Sequence, residues 1–411
     1  MVTLRDGNGS ATTRPGSSDG LVRVPDVSTD RAQPAPSNGL VSPVRLDRAR
    51  EVTAELGLDA VVVTPGADLR YLCGYAAHAL ERLTALVVPA AGAPLLVVPR
   101  LEAPMVTASP AGALGLELVA WDETDDPFAL VAGELRTRLG RDPQRLAVGA
   151  RTWAEHALGL QRAVPGSRLE LATPVLDRLR VVKSGAEVAE LATAAAAIDR
   201  VHARMGEWLR VGRTEAEVGA DVAAAILAEG HVAVDFVIVG SGPNGASPHH
   251  ELSDRVVQAG DLVVVDIGGE LASGYRSDCT RTYVVGGAPD AGTAEWYGVL
   301  QAAQDAARAA VAPGVTAEEV DAVARDAITA AGWGEQFLHR TGHGIGLDTH
   351  EAPYVVAGNT TPLEPGMAFS VEPGIYLAGR HGARIEDIVV CTPDGARTLN
   401  EGPRDLVELA G

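Results

Sequence analysis

Five side chains between Asp266 and Glu386 carry the donor chemistry of a divalent-cation site. They are Asp266 in VVVDIGG, Asp278 in RSDCTRT, His343 in TGHGIG, Glu372 in SVEPGIY and Glu386 in RIEDIVV. Each closes or adjoins an apolar, strand-like run, or sits in a loop bracketed by glycines. Carboxylate oxygens with one imidazole nitrogen are ligands that Mn, Co, Zn or Fe(II) accept. Two such ions about 3.5–4 Å apart can hold a bridging hydroxide and polarise a carbonyl together. Four acids near one point repel strongly unless cations lie among them. Taken one at a time, each residue has a plainer reading. Asp266, Asp278 and Glu372 suit turns at strand ends, Glu386 suits a solvent face, and His343 suits a structural loop. A joint role needs an architecture that gathers them.

An internal repeat supplies that architecture. GRTEAEVGADVAAAILAEG, from Gly212, matches GVTAEEVDAVARDAITAAG, from Gly314. Both carry a Thr-x-x-Glu capping box (Thr214 with Glu217, Thr316 with Glu319) and end at a glycine suited to the position after a helix, Gly230 or Gly332. Downstream, AGDLVVVDIGG matches PGMAFSVEPGI, which sets Asp266 opposite Glu372. The offsets are 314 − 212 = 102 for the helices and 372 − 266 = 106 for the acids, so only a small insertion separates the two copies. Each half then offers a second acid from a following strand, Asp278 or Glu386. Antiparallel strand pairs in both halves are expected to aim four carboxylates into one cleft, with His343 joining from a loop.

The chain before this repeat has a different texture. Residues 1–40 are rich in Gly, Ser, Pro and Thr and are expected to form a tail without a core. From Pro43, VRLDRAREVTAELG reads as a helix ending at Gly57. DAVVVT, TALVVP, APLLVVP, LELVAW and RLAVGA read as strands, and DPFALVAGELRTRLG as a helix begun by Pro127. PGADLRYLCGY between the first two strands reads as a loop. Alternating strands and helices predict a small α/β domain over 41–175 with a mixed sheet, followed by the repeat-bearing domain over 176–411. Ser184 with Glu187 marks the start of that second domain's first long helix.

Composition narrows the partners. Lys+Arg total 34 against 54 Asp+Glu, a net charge of −20, with no long basic stripe for nucleic acid or an anionic membrane. No membrane-length apolar run and no secretory apolar core is present. Cys73, Cys279 and Cys391 are far apart, with no CxxC pair, which fits a reducing, cytoplasmic setting rather than a disulfide framework.

The stretch from about Lys183 to Ala410 resembles the pita-bread metallopeptidases, which include methionine aminopeptidase, aminopeptidase P and prolidase. The resemblance rests on PHHELSDR, GDLVVVDIGG, YRSDCTRTY, HRTGHGIGLDTHE, LEPGMAFSVEPGIY and GARIEDIVV, in family order over more than half the chain. ADLRYLCGY and the N-terminal α/β domain look like the aminopeptidase P, prolidase and creatinase branch. The resemblance implies an α+β chain: a pita-bread fold of pseudo-duplicated halves with a curved antiparallel sheet, after a smaller α/β domain. It implies two divalent metal ions, Mn first and Co, Zn or Fe as alternatives, on Asp266, Asp278, His343, Glu372 and Glu386. Asp278 and Glu386 match the family's bridging acids. Glu372 also matches its general base, His249 and His350 its catalytic histidines, and His339 and Arg384 its substrate pocket. The implied reaction is hydrolysis of the bond before proline by a metal-activated hydroxide, as an Xaa-Pro dipeptidase or aminopeptidase, acting on proline-containing peptides as a homodimer. A creatinase-like C–N hydrolase without metal and a non-catalytic binding module are the rivals, and the intact ligand set argues against both. His231, His250 and His381 read as packing or surface residues, and Tyr275 and Tyr376 as strand packing. One departure stands out: Asp266 and Asp278 are 278 − 266 = 12 apart, one more than the family spacing. The turn between them must absorb the extra residue.

Overall fold

A computed structural model describes residues 39–411. The expected tail over 1–40 lies outside the described residues except for its last two. Six strands form the first sheet: β1 (Ala60–Val63), β2 (Ala85–Pro89), β3 (Leu95–Pro99), β4 (Glu117–Trp121), β5 (Arg145–Val148) and β6 (Arg168–Leu171). Their order is β4-β3-β2-β1-β5-β6. β2 runs antiparallel to both neighbours and the other pairings are parallel, so the sheet is mixed as expected. Its central strands are unbroken Val and Leu runs because both faces are covered. Val61 and Val63 pack with Leu46 and Val52 of the helix Pro43–Glu55. Ala60 and Val62 pack with Val131 and Leu135 of the helix Pro127–Leu139.

One expectation fails here. The segment read as a loop, PGADLRYLCGY, contains the helix Ala67–Cys73, closed by Gly74 in the left-handed region at φ 74°. Leu69, Leu72 and Cys73 are spaced to bury one face, and the Tyr71 hydroxyl donates to the Leu179 carbonyl at 2.6 Å. Pro65-Gly66 hides this short period because it reads as turn punctuation. β6 was not expected either. It is a short edge strand whose ends are exposed, so it lacks an apolar run.

In the second half all three capping boxes form, at Ser184, Thr214 and Thr316. The two repeat helices, Glu215–Ala228 and Ala317–Ala330, flank matched strand pairs. The first pair belongs to β7 (Ala233–Ser241), β8 (Leu262–Glu270) and β9 (Cys279–Val285), all antiparallel. The second belongs to a sheet of β10 (Gly342–Gly344), β11 (Glu351–Val355), β12 (Ala368–Val371), β15 (Asp387–Thr392) and β16 (Gly395–Thr398). Between β12 and β15 lies the hairpin of β13 (Gly374–Leu377) and β14 (His381–Arg384). A last strand, β17 (Val407–Leu409), adds to β9 in parallel. The repeat now has a concrete form. Asp266 sits on β8 and Asp278 just before β9, while Glu372 follows β12 and Glu386 precedes β15. In one pair Asp266 lies opposite Thr280, and in the other Val371 lies opposite Asp387. The Glu386 amide donates to the Thr280 carbonyl at 3.1 Å, which stitches the two halves together.

Buried His202, on the helix Gly185–Ala203, secures the back of β9. Its Nε2 donates to the Cys279 carbonyl at 3.1 Å, so Nδ1 accepts from the Tyr283 hydroxyl at 2.9 Å. Burial, with the nearby Arg281 cation, pushes the imidazole pKa down to about 3. The unfolded chain takes up this proton near pH 6.5 and the folded one does not. Stability is therefore full above that pH and falls as pH drops toward 3, by at most about 1.4 kcal/mol per pH unit from this group. Urea unfolding between pH 7 and pH 4 should show a steeper loss for the parent than for His202→Gln. Parallel pH profiles would contradict this assignment.

Candidate metal centre

The five sequence-predicted donors converge. Asp266, Asp278 and Glu386 form one group, and His343, Glu372 and Glu386 a second; within each, ligand atoms lie within 4.8 Å of one another. Asp278 and His343 form a third such group with His350. His343 Nε2 lies 3.1 Å from Glu372 Oε1 and 3.6 Å from Asp278 Oδ2. The extra residue before Asp278 is taken up in the turn after β8. There the Leu271 amide donates to the Tyr275 carbonyl and the Gly274 amide to that of Leu271, with Gly274 at φ 93°. Ser277 then rejoins β8 through the Gly269 carbonyl, and Asp278 faces the other donors.

The local folds explain the aim. β8 and β12 are buried strands, so the middle of β8 and the end of β12 deliver Asp266 and Glu372 from the core side. Gly342 and Gly344 flank His343 because neighbouring backbone leaves no room: an added Cβ would meet the Ser370 carbonyl at 1.8 Å and that of Ala352 at 2.2 Å. The Ser370 hydroxyl accepts from the His343 amide at 2.9 Å and donates to Glu372 at 3.0 Å.

Electrostatically the cluster is unbalanced. Burial, and then the Asp266 and Glu372 charges, push the Asp278 carboxyl well above its ordinary range. Burial and the charges of Asp278, Glu372 and Asp266 do the same to Glu386. Glu372 goes the other way, to about 2; burial opposes this, but the hydrogen bond and charge of His343, with His339 and Arg384, outweigh it. Arg384 is the one guanidinium among them, donating to Asp266 at 2.5 Å, to Tyr376 at 2.8 Å and to Thr280 at 3.0 Å. Even so, Asp266 Oδ1 and Glu386 Oε1 are buried without a hydrogen-bond partner. Two orphaned oxygens among crowded acids are what divalent cations satisfy, so the donor set fits metal.

The donors line a cavity of about 1000 Å³, whose wall includes His249, His339, His350 and Arg384. The His350 ring lies 4.0 Å from that of His343, and desolvation followed by the His343 charge lowers its pKa to about 4. His339 bonds the Tyr376 hydroxyl at 2.8 Å, and burial lowers its pKa.

Two residues set aside in the sequence reading belong to this assembly. Tyr376 joins His339 to Arg384 through its hydroxyl, which its place in a strand did not reveal. His250 bonds buried Glu215 at 2.7 Å. Glu215 also accepts from the Ser241 amide and hydroxyl, Asn244 and Ser253, and so fixes the loop that presents His249. The Thr-Glu step at a helix start was the available signal, but it read as capping alone. His231, bonded to Ser277, and His381, against Trp296, are packing residues as expected.

The model of metallopeptidase family M24 matches residues 189–393, and that of the creatinase/prolidase N-terminal domain matches 45–182. A probable dipeptidase, PepE, from Mycobacterium bovis is 56% identical over 363 residues, 88% of this chain and 95% of that protein. The chain belongs to metallopeptidase family M24. Its structure superposes on the crystal structure of dipeptidase PepE from Mycobacterium ulcerans with a TM-score of 0.85 at 55% identity, covering 90% of this chain and 98% of that one. An Xaa-Pro dipeptidase from Lactobacillus helveticus is 34% identical over 88% of this chain and 98% of its own. The fold is thus the M24 pita-bread fold behind its N-terminal domain, as the resemblance implied, and the M24 chain is a hydrolase that uses divalent metal ions.

Crowding in the M24 site makes a prediction about metal-free protein. Glu386 is raised above its ordinary value of 4.5, so its contribution favours folding at low pH and turns unfavourable as pH rises through that value. After chelation, Glu386→Gln should melt above the parent at pH 8, with the gap closing toward pH 4. A variant that melts lower at pH 8 would contradict the repulsion.

Proposed function

We propose that the chain is a metal-dependent Xaa-Pro dipeptidase. The observation that carries the reading is the convergence of Asp266, Asp278, His343, Glu372 and Glu386 on one cavity that also presents His249, His339 and His350. These five residues would hold two divalent ions, with Mn as the resident metal. When bound, the ions supply Lewis acidity at the scissile carbonyl and make water nucleophilic at neutral pH. The names of the Mycobacterium and Lactobacillus helveticus relatives support dipeptides, and the latter supports proline after the cleaved bond.

The chain's own residues divide the remaining work. Glu372, kept ionised by His343, accepts the proton of the attacking water and returns it to the proline nitrogen, which leaves as a secondary amine. His249 and His350 stand on the cavity wall to donate hydrogen bonds as charge builds on the carbonyl oxygen. The donors of Arg384 are committed to Asp266, Tyr376, Thr280 and Pro248, so it shapes the pocket by holding Tyr376 and Asp266. His339, on the other side of the Tyr376 hydroxyl, faces the substrate.

The same reading takes an N-terminal domain over 41–175 and a catalytic domain over 176–411, with the helix Thr173–Arg180 spanning the junction. It takes a homodimer in the cytoplasm. Three buried free cysteines fit a reducing compartment, and among the described residues no helix is long and apolar enough to cross a membrane.

A substrate panel tests the proposal. With Mn, Xaa-Pro dipeptides should be cleaved faster than Xaa-Pro tripeptides or dipeptides without proline. Chelation should abolish turnover. Asp278→Asn and Glu386→Gln should each lose more than the roughly 10–100-fold typical of residues that merely support a ligand. Release of the first residue from tripeptides at equal rate would point to an aminopeptidase, and turnover resistant to chelation would sink the metallopeptidase mechanism.

A further inference from the structure

The loop over 346–350 carries His350 into the cleft, and Asp348 within it and Glu351 at the start of β11 reach away from the metal donors toward the N-terminal sheet. Asp348 and Glu351 flank Thr349-His350. Arg180 Nη2 donates to Asp348 Oδ2 at 2.8 Å and also bonds Glu351. Lys183 Nζ bonds Glu351 Oε1 at 2.5 Å, and Arg151, in the turn after β5, bonds Asp348 Oδ1. Asp68, on the helix Ala67–Cys73, holds the other end of the Arg180 guanidinium at 2.5 Å. The inner ion pairs are shielded, whereas Arg151 is exposed. The side chains of Arg180 and Glu351 are 11% and 9% exposed, and that of Lys183 is 1% exposed.

Apolar packing holds the start of the loop, where Leu347 joins the core shared with Leu72 and Leu176, but not the stretch around Asp348 and His350. A cavity of about 240 Å³, lined by Thr64, Asp68, Arg151, Arg180, Asp348 and His350, lies between it and the ends of β1 and β5. The ion pairs bridge that space. On the opposite side Arg276 donates to the Leu347 carbonyl at 3.0 Å and the Thr349 hydroxyl bonds Asp235 at 3.3 Å. Clamped from both sides, the loop sets His350 with its ring 4.0 Å from that of His343.

We propose that Arg180, with Arg151 as its outer partner, is a positioning residue for turnover. Through Asp348 and Glu351 the N-terminal sheet and its following helix fix the His350 loop, so this region is part of the catalytic apparatus and more than a cover for the cleft. The inference rests on the reading of His350 as a catalytic residue. Displacing such a group by about 1 Å costs up to about a hundredfold in rate. Removing the clamp should therefore lower kcat more than it raises KM, and leave metal content unchanged.

The test uses the intact Mn-loaded protein with Asp348→Asn, His350→Ala and the double variant; Asp348→Asn is chosen over Arg180→Met because it leaves Arg180 paired with Asp68 and Glu351. Hydrogen exchange of the 346–352 segment reads the clamp directly, and a double-mutant cycle with His350→Ala reads its consequence. Asp348→Asn is expected to speed exchange of that segment and lower kcat about tenfold, yet cost less than about twofold when His350 is already Ala. Unchanged exchange overturns the proposal. So does faster exchange with parental kcat, or an equal cost in both backgrounds. If His350→Ala alone leaves turnover intact, the catalytic reading of His350 fails instead, and the exchange result by itself decides whether the clamp exists.

Discussion

Four carboxylates, three buried and Glu372 half-buried, crowd around one guanidinium, and the rest of the second half is arranged to make that tolerable. Two like charges 4 Å apart cost about 4 kcal/mol at an effective dielectric of 20. Asp266, Asp278, Glu372 and Glu386 make several such pairs. Arg384 reaches Asp266 at 2.5 Å but approaches Glu372 only to 3.9 Å. The protein therefore forces Asp278 and Glu386 toward their protonated forms unless other cations enter. The site is prepared for charge that the polypeptide does not itself supply.

Holding acids in so unfavourable a place requires rigid support, and a second layer of buried acids gives it. Asp387, next to Glu386, accepts from Arg281, Gln304 and Arg404, while Arg281 also donates to the Glu386 carbonyl at 2.6 Å. Asp321, on the second repeat helix, accepts from the amide and hydroxyl of Thr341 and so braces the loop before His343. Glu215, on the first repeat helix, braces the loop with His249. Each half thus spends one helix acid on fixing a histidine loop, although the two acids do not occupy matching positions in the repeat. Asp348 and Glu351 extend the pattern to the N-terminal sheet.

Much of this was legible in the residues. The repeat located both strand pairs because capping boxes, the acids that follow apolar runs and their order are local and periodic. The donor set followed from residue type and from family resemblance, and the structure brings all five together despite the extra residue before Asp278. Other features were hidden because they depend on contacts between distant segments. Nothing near Tyr376 reports that its hydroxyl meets Arg384 and His339, and nothing near His250 reports Glu215, 35 residues away. The helix Ala67–Cys73 was missed because Pro65-Gly66 masked its three-residue spacing, and β6 because an exposed edge strand needs no apolar pattern.

Under the proposed function the acid cluster holds two divalent ions. Equilibrium dialysis against Mn, with the bound metal counted per chain by elemental analysis, tests it most directly. Two ions per parent chain are expected at saturation, and no more than one in Asp278→Asn, whose carboxylate belongs to the first group of donors and lies 3.6 Å from His343 of the second. Saturation of the parent at one ion or none, or two ions retained by the variant, would contradict it.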